Sequence, residues 1–371
     1  MSPTSSHNYD TIIVGGGLVG AAIACGLGAT GARIAVLDGG DRDFRASRGN
    51  FGLVWVQGKG ADFPAYAHLS ARAARQWSGF AAELLDATGI DVGLQQTGGY
   101  DFCLTQQEWD ERSREMQQVH THTDGEFEYR MLQPAELREH LPEVSDAVLG
   151  ASYSPQDGHV NPLYLLRALH RRMHDQGIDY HAGQALRSSR FEGGRFLLTT
   201  DNRSYRCERV VYCAGLSNQR LCGDLGMHIP LRPLRGQLLI TDRVAPFLPA
   251  ATLQVRQTME GTLQIGDSHE DVGLDESTTL EVITRLARRA VRIFPHLANV
   301  RLNRAWGALR IMTQDGAPIY HRSAEHPGAF AISCHSGVTL AAMHAREIAR
   351  WIDTGSNDPL IAQFSADRFD V

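Results

Sequence analysis

Residues 9–40 read YDTIIVGGGLVGAAIACGLGATGARIAVLDGG. The run TIIV reads as a short, buried strand, and an alanine-rich apolar helix follows it. RIAVLD is a second strand that ends at Asp38. Between the first strand and the helix, Gly15, Gly17 and Gly20 fit the spacing G-x-G-x-x-G. The first glycine permits the tight turn, the second lets backbone approach a pyrophosphate, and the third lets the helix lie close to the strand. The helix N-terminus adds unpaired N–H groups and the positive end of its dipole. Asp38 stands 18 positions after Gly20, where an acid can bond a ribose hydroxyl. The stretch therefore predicts a Rossmann-like dinucleotide site. It leaves FAD and NAD open and disfavours NADP, whose 2′-phosphate would meet the Asp38 carboxylate.

The rest of the chain extends this reading. At 371 residues it exceeds the size at which one hydrophobic core keeps growing, so two packed units are expected. Asn161 and Pro162 predict a helix start, as cap and first helical residue, with the helix running to about His174. A strand IDYHAGQAL, the strands RFLLTT and RVVYCAG, and a closing strand GAFAISC follow. The last leads through a turn at His335–Ser336–Gly337 into a helix. Residues 61–145 are rich in helix formers, and 229–307 hold strand-like runs. The expected division is thus a discontinuous nucleotide-binding unit, 8–60, 146–228 and 308–365, and an inserted substrate unit, 61–145 and 229–307.

Composition narrows the function. A formal charge of −6 supplies no basic footprint for nucleic acid or anionic lipid. The first ten residues lack a basic and an apolar region, so no secretory signal is read there, and no apolar run reaches membrane-spanning length. The six cysteines never form C-x-x-C, which argues against a redox dithiol or a metal or iron–sulfur site in this chain. They read as reduced, buried thiols of a cytoplasmic protein. Lys59 is the only lysine among 36 basic residues, in a glycine-rich stretch, RGNFGLVWVQGKG.

IIVGGGLVGAA, ASRGN, DGHVNP, VVYCAG, RPLRGQ, RQT, RAWGALRIMTQDGAPI and CHSGVTLA occur in one order along the chain. In these the sequence resembles the D-amino acid oxidase/dehydrogenase (DAO) family of FAD enzymes, and within it the flavin subunits of opine oxidase (B subunit), hydrogen cyanide synthase and D-hydroxyproline dehydrogenase. The resemblance implies an α/β fold: a glutathione-reductase/DAO-type FAD domain plus an inserted α+β domain with a mixed, largely antiparallel sheet. It implies noncovalent FAD, because Ile311, Met312 and Thr313 stand where sarcosine oxidases carry the attaching cysteine. Gly15, Gly17, Leu18, Val19 and Gly20 would hold the pyrophosphate, and Asp38 the ribose. Backbone at Leu186 would meet the adenine. Ser47, Arg48, Gly49 and Asn50, with Ala214 and Gly215, would follow the cofactor. Ser336, Gly337, Val338 and Thr339 would face the flavin pyrimidine, with Ser336 as helix cap.

Arg310 would grip a substrate carboxylate beside the flavin, and His335 would be base or polar wall. His159 is a weaker choice, as a solvated turn histidine. Trp55 and Gln57 are pocket-wall expectations, and Lys59 is expected beyond the flavin-contacting part, in a substrate-entrance, second-cofactor or partner-interface role. The implied activity is hydride transfer from the α carbon of an amino or imino acid (a D-amino acid, D-hydroxyproline or an opine) to flavin N5. Electrons would pass to a partner subunit of a hetero-oligomer or to a respiratory acceptor, the protein being peripheral at the inner membrane through such partners. An FMN or iron–sulfur cluster would be shared with, or held by, a partner. The strand that carries the oxygen-activating lysine of sarcosine oxidases holds none here, which favours dehydrogenase over oxidase. A peroxide-producing oxidase and a non-catalytic nucleotide-binding subunit remain the alternatives.

Overall fold

A computed structural model describes residues 7–40, 45–266, 268–356 and 358–369, so the start of the stretch read for a signal lies outside it. The first strand, His7–Val14, is the centre of an eight-stranded sheet. It pairs in parallel with Ile34–Leu37 on one side and Ser204–Tyr212 on the other. Asp179–His181 extends the first side in parallel. On the other side, the end of Ser204–Tyr212 takes Ala329–Ser333 in parallel, and its beginning takes the hairpin Leu186–Glu192/Arg195–Thr200 antiparallel. Ile12, Ile13 and Val36 are wholly buried, as befits parallel strands covered on both faces.

The helix Leu18–Gly28 covers one face, and only small residues allow its closeness. A Cβ on Gly20 would sit 1.9 Å from the Gly15 carbonyl oxygen, and one on Gly26 would sit 2.0 Å from that of Ala345. The C-terminal helix therefore packs directly on the first. Asn161 caps Pro162–Asp175 by accepting from the N–H groups of Leu163 and Tyr164, at 3.0 and 3.3 Å. The expected single strand IDYHAGQAL is two, Asp179–His181 and Leu186–Glu192, because Gly183 adopts φ +70° and turns the chain between them.

Two further four-stranded sheets stand beside the first. One is antiparallel: Val255–Gln257, Thr262–Ile265, Arg232–Arg243 and Leu302–Met312. The other joins Ala251–Thr252, Gly99–Cys103, Gly150–Ser154 and Arg130–Leu132, with one parallel pair. Gly150–Ser154, which a boundary at 146 assigns to the nucleotide unit, thus pairs with Gly99–Cys103 instead. Leu302–Met312 runs across the boundary at 308, its full length paired to Arg232–Arg243. Strand pairing, not local texture, decides where these segments lie. Among the described residues, no helix is long and apolar enough to cross a membrane.

Candidate active site

A cleft opens at the C-terminal ends of the parallel strands, where open α/β sheets place their ligands. Its larger part, about 550 Å³, is lined by Gly15, Gly17, Asp38, Arg48, Leu186, Ala214 and Gly215, among others. A smaller part of about 210 Å³ is lined by Leu18, Asn50, Trp55, Lys59, Arg310 and the turn Cys334–Thr339, among others. Val19, Ala46, Ser47, Leu309, Ile311 and Cys334 line both, so the two are continuous.

The larger part is built on closely packed glycines. Gly15 has φ +107°, and a Cβ there would stand 2.5 Å from the Cys213 carbonyl oxygen. A Cβ on Gly17 would meet Ser47 Oγ at 2.6 Å. The helix has no side-chain cap of its own. Ser47 fills that role from outside, accepting from Leu18 N–H at 2.9 Å. Asp38 is buried and accepts from Gly16 N–H at 2.7 Å and Gly40 N–H at 2.9 Å. Its carboxylate therefore pins the glycine turn to the end of the second strand. Arg45 Nη1 stands 3.8 Å from it.

The smaller part joins elements far apart in sequence. Arg310 projects from Leu302–Met312, and its guanidinium lies over Gly236 on the neighbouring strand, where any Cβ would come within 2.4 Å of it. Its Nη1 donates to the Ser268 carbonyl at 2.8 Å. The His335 side chain lines the cavity and is exposed. Desolvation, then the charges of Lys59 and Arg310 and the nearby His269, pushes its pKa below the ordinary value, which favours the neutral ring. Gly337, Val338 and Thr339 form the turn before the helix that starts at Ala341. Thr339 Oγ1 accepts from Trp55 N–H at 3.1 Å and donates to Leu53 O at 3.3 Å, tying this turn to the 48–60 loop.

Several expectations change. Ser336 does not cap the helix, because its hydroxyl bonds Lys59 Nζ and, at 2.7 Å, Tyr66 OH. Lys59, between the positive-φ glycines Gly58 and Gly60, stands in the wall of the smaller cavity. Asn50 lines the cavity, yet its amide is spent on its own loop, donating to Ala46 and Ser47 carbonyls and accepting from Gly52 N–H. Trp55 lines the cavity, and Gln57 lies behind it. Gln57 donates to Asp157 at 2.6 Å and to the Gly99 carbonyl at 3.0 Å, and accepts from Ser152 at 2.5 Å. His159 is buried rather than solvated. Arg256 donates to its Nδ1 at 3.2 Å, so its Nε2 donates to Gln95 Oε1 at 3.1 Å. Burial, then Arg256, pushes its pKa down to about 3. The role of Tyr66 carried no signal in the sequence; Gly236 lay within the quoted motif RPLRGQ without a role given to it, and Lys59 stood out as the only lysine.

A glycine cradle that no Cβ could enter, an acid at the second strand's end and a cleft running on to a guanidinium and a neutral imidazole fit an extended flavin dinucleotide. Residues 10–351 match the family described as FAD dependent oxidoreductase (DAO). The chain belongs to the DAO family of FAD-dependent oxidoreductases. It is 42% identical over 364 residues to the B subunit of opine oxidase from Agrobacterium tumefaciens (strain Ach5), covering 98% of each chain. It is 41% identical over 366 residues to the B subunit of opine oxidase from Rhizobium meliloti, covering 98% of this chain and 99% of that one. The crystal structure of glycine oxidase from Geobacillus kaustophilus superposes with a TM-score of 0.89 at 25% identity, covering 97% of this chain and 98% of that one. This DAO-family chain is therefore an FAD-dependent oxidoreductase, with the α/β fold expected of one.

Proposed function

We propose that the chain is the flavin subunit of a dehydrogenase that oxidises the C–N bond of an amino or imino acid, most closely an opine. The observation that carries this reading is the small cavity, where Arg310 and neutral His335 stand together at the end of the dinucleotide cleft. FAD, held noncovalently, supplies the hydride acceptor when bound. Gly15, Gly17 and Gly20 would hold its pyrophosphate, Asp38 its ribose, and the turn Gly337–Thr339 its far end. Arg310 would fix the substrate carboxylate through a two-pronged bond, setting the distance and rotation of the α carbon. His335 is too weak a base at neutral pH to keep the proton of a substrate ammonium. It is assigned the polar wall, an acceptor for the amine N–H, while that proton leaves to water. The carbon–nitrogen bond becomes an imine as one hydride and one proton depart.

The opine oxidase relatives are named as subunits, which supports a partner chain that takes the electrons onward. The test is anaerobic bleaching of the purified yellow protein, alone and with its partner subunits. The panel comprises opines, D-hydroxyproline, D-amino acids, sarcosine and glycine. Bleaching by an opine or imino acid, dye reduction and little peroxide in air are expected. Bleaching by none of them overturns the reading, and vigorous peroxide formation makes the protein an oxidase.

A further inference from the structure

Lys59 is half-buried and lines the same cavity as Arg310. Its ammonium bonds the hydroxyls of Ser336 and Tyr66, the latter at 3.4 Å, and lies 5.6 Å from the Tyr66 ring centroid. Among the described residues no carboxylate pairs with it, and none of those lining this cavity is Asp or Glu. The buried Asp157 feels its charge but gives its oxygens to Val56 N–H and Gln57 Nε2. Two neutral hydroxyls and an aromatic face orient an ammonium without cancelling its charge. Both Lys59 and Arg310 act electrostatically on His335, so their charges converge on one space. The glycines that flank Lys59 are held in place: at Gly60 a Cβ would stand 2.2 Å from Ala67 N. The lysine is thus aimed by its backbone, not by chance.

We propose that Lys59 is a second carboxylate anchor and that the cavity selects dicarboxylates: secondary amines with one carboxylate held by Arg310 and another by Lys59. This rests on the role given to Arg310 above. A point-like ammonium on a flexible stem suits the more variable of the two carboxylates, while the planar guanidinium suits the one beside the reacting carbon. Tyr66 and Ser336 are positioning residues that hold Nζ toward the cavity.

The test uses the flavin-loaded protein and matched ligand pairs that differ by one carboxylate: iminodiacetate against N-methylglycine, and N-(1-carboxyethyl)arginine against N-ethylarginine. Anaerobic stopped-flow bleaching separates the dissociation constant from the limiting rate. The wild type is expected to prefer the dicarboxylate of a pair. Lys59→Gln should lose about 10-fold or more of that preference, with the limiting rate changed far less. Lys59→Arg should keep most of it, which separates loss of charge from loss of fold. Equal weakening of both members of a pair, or an unchanged preference, overturns the proposal and leaves Lys59 to the flavin or the fold. A wild type bleached by none of the four, nor by any other amino or imino acid, instead overturns the proposed function and this inference with it.

Discussion

At the scale of single residues, charge placement decides what the cavity can do. Arg310 is expected to act in binding, so Arg310→Met should weaken carboxylate substrates by about 10- to 150-fold, read as a rise in the dissociation constant from anaerobic bleaching. His335 makes the opposite prediction. Its imidazole is held neutral, so any acid limb in the pH profile of kcat/KM should belong to the substrate ammonium and survive in His335→Gln. Disappearance of that limb in the variant would make His335 the titrating base. Asp38 and the glycines were legible in the sequence because they sit inside a motif whose spacing carries a geometric reason, whereas Arg310 was picked out only by the family resemblance. Lys59 was legible only as an oddity of composition. Its inward turn depends on Gly58 and Gly60 and on contacts with Tyr66 and Ser336, the latter 277 positions away. The same limit explains Ser336 and Asn50, whose polar atoms were spent on neighbours that periodicity does not reveal.

At the scale of elements, two junctions carry the site. The first is the strand–turn–helix unit at Gly15–Gly20. Gly20→Ala would drive a methyl into the Gly15 carbonyl, an overpacking that costs about 1–3 kcal/mol. The variant should purify with much less flavin absorbance per protein than the wild type and melt at lower temperature. The second joins the 48–60 loop to the third sheet through Asp157, which is fully buried and whose pKa burial pushes up to about 7. Below about pH 4, Asp157 is protonated in both folded and unfolded chains. Between about 4 and about 7 only the folded chain keeps the proton, so stability falls as pH rises, and above 7 the loss is constant. The difference in melting temperature between wild type and Asp157→Asn should therefore vary through that window and flatten above it. A difference independent of pH would show that Asp157 ionises in the fold as it does in water. The elements themselves were mostly readable from their periodicity and caps. Their sheet membership was not, as Gly150–Ser154 shows, because pairing partners lie outside any local window.

At the scale of the whole molecule, the cleft is walled by segments from both ends of the chain and by the antiparallel sheet. A ligand that fills it touches most of the architecture and binds only the folded state. Removing flavin should lower the melting temperature by several degrees, since a site loaded to 100 times its dissociation constant adds about 2.7 kcal/mol. Differential scanning fluorimetry with and without added FAD checks this, and identical curves would mean that the cleft does not hold it. The closing strand Ala329–Ser333 also bears on how the protein is made. The turn after it supplies Ser336 to Lys59 across 277 positions. At about 5–20 residues added per second, roughly 14–55 s separate the two halves of that contact on the ribosome. The nascent chain therefore spends most of its synthesis with a glycine cradle that cannot yet retain a flavin and a central sheet that lacks its late strand. Cofactor loading is therefore expected to follow synthesis of the closing strand, and chains made in flavin-depleted cells should be recovered at full length without bound flavin.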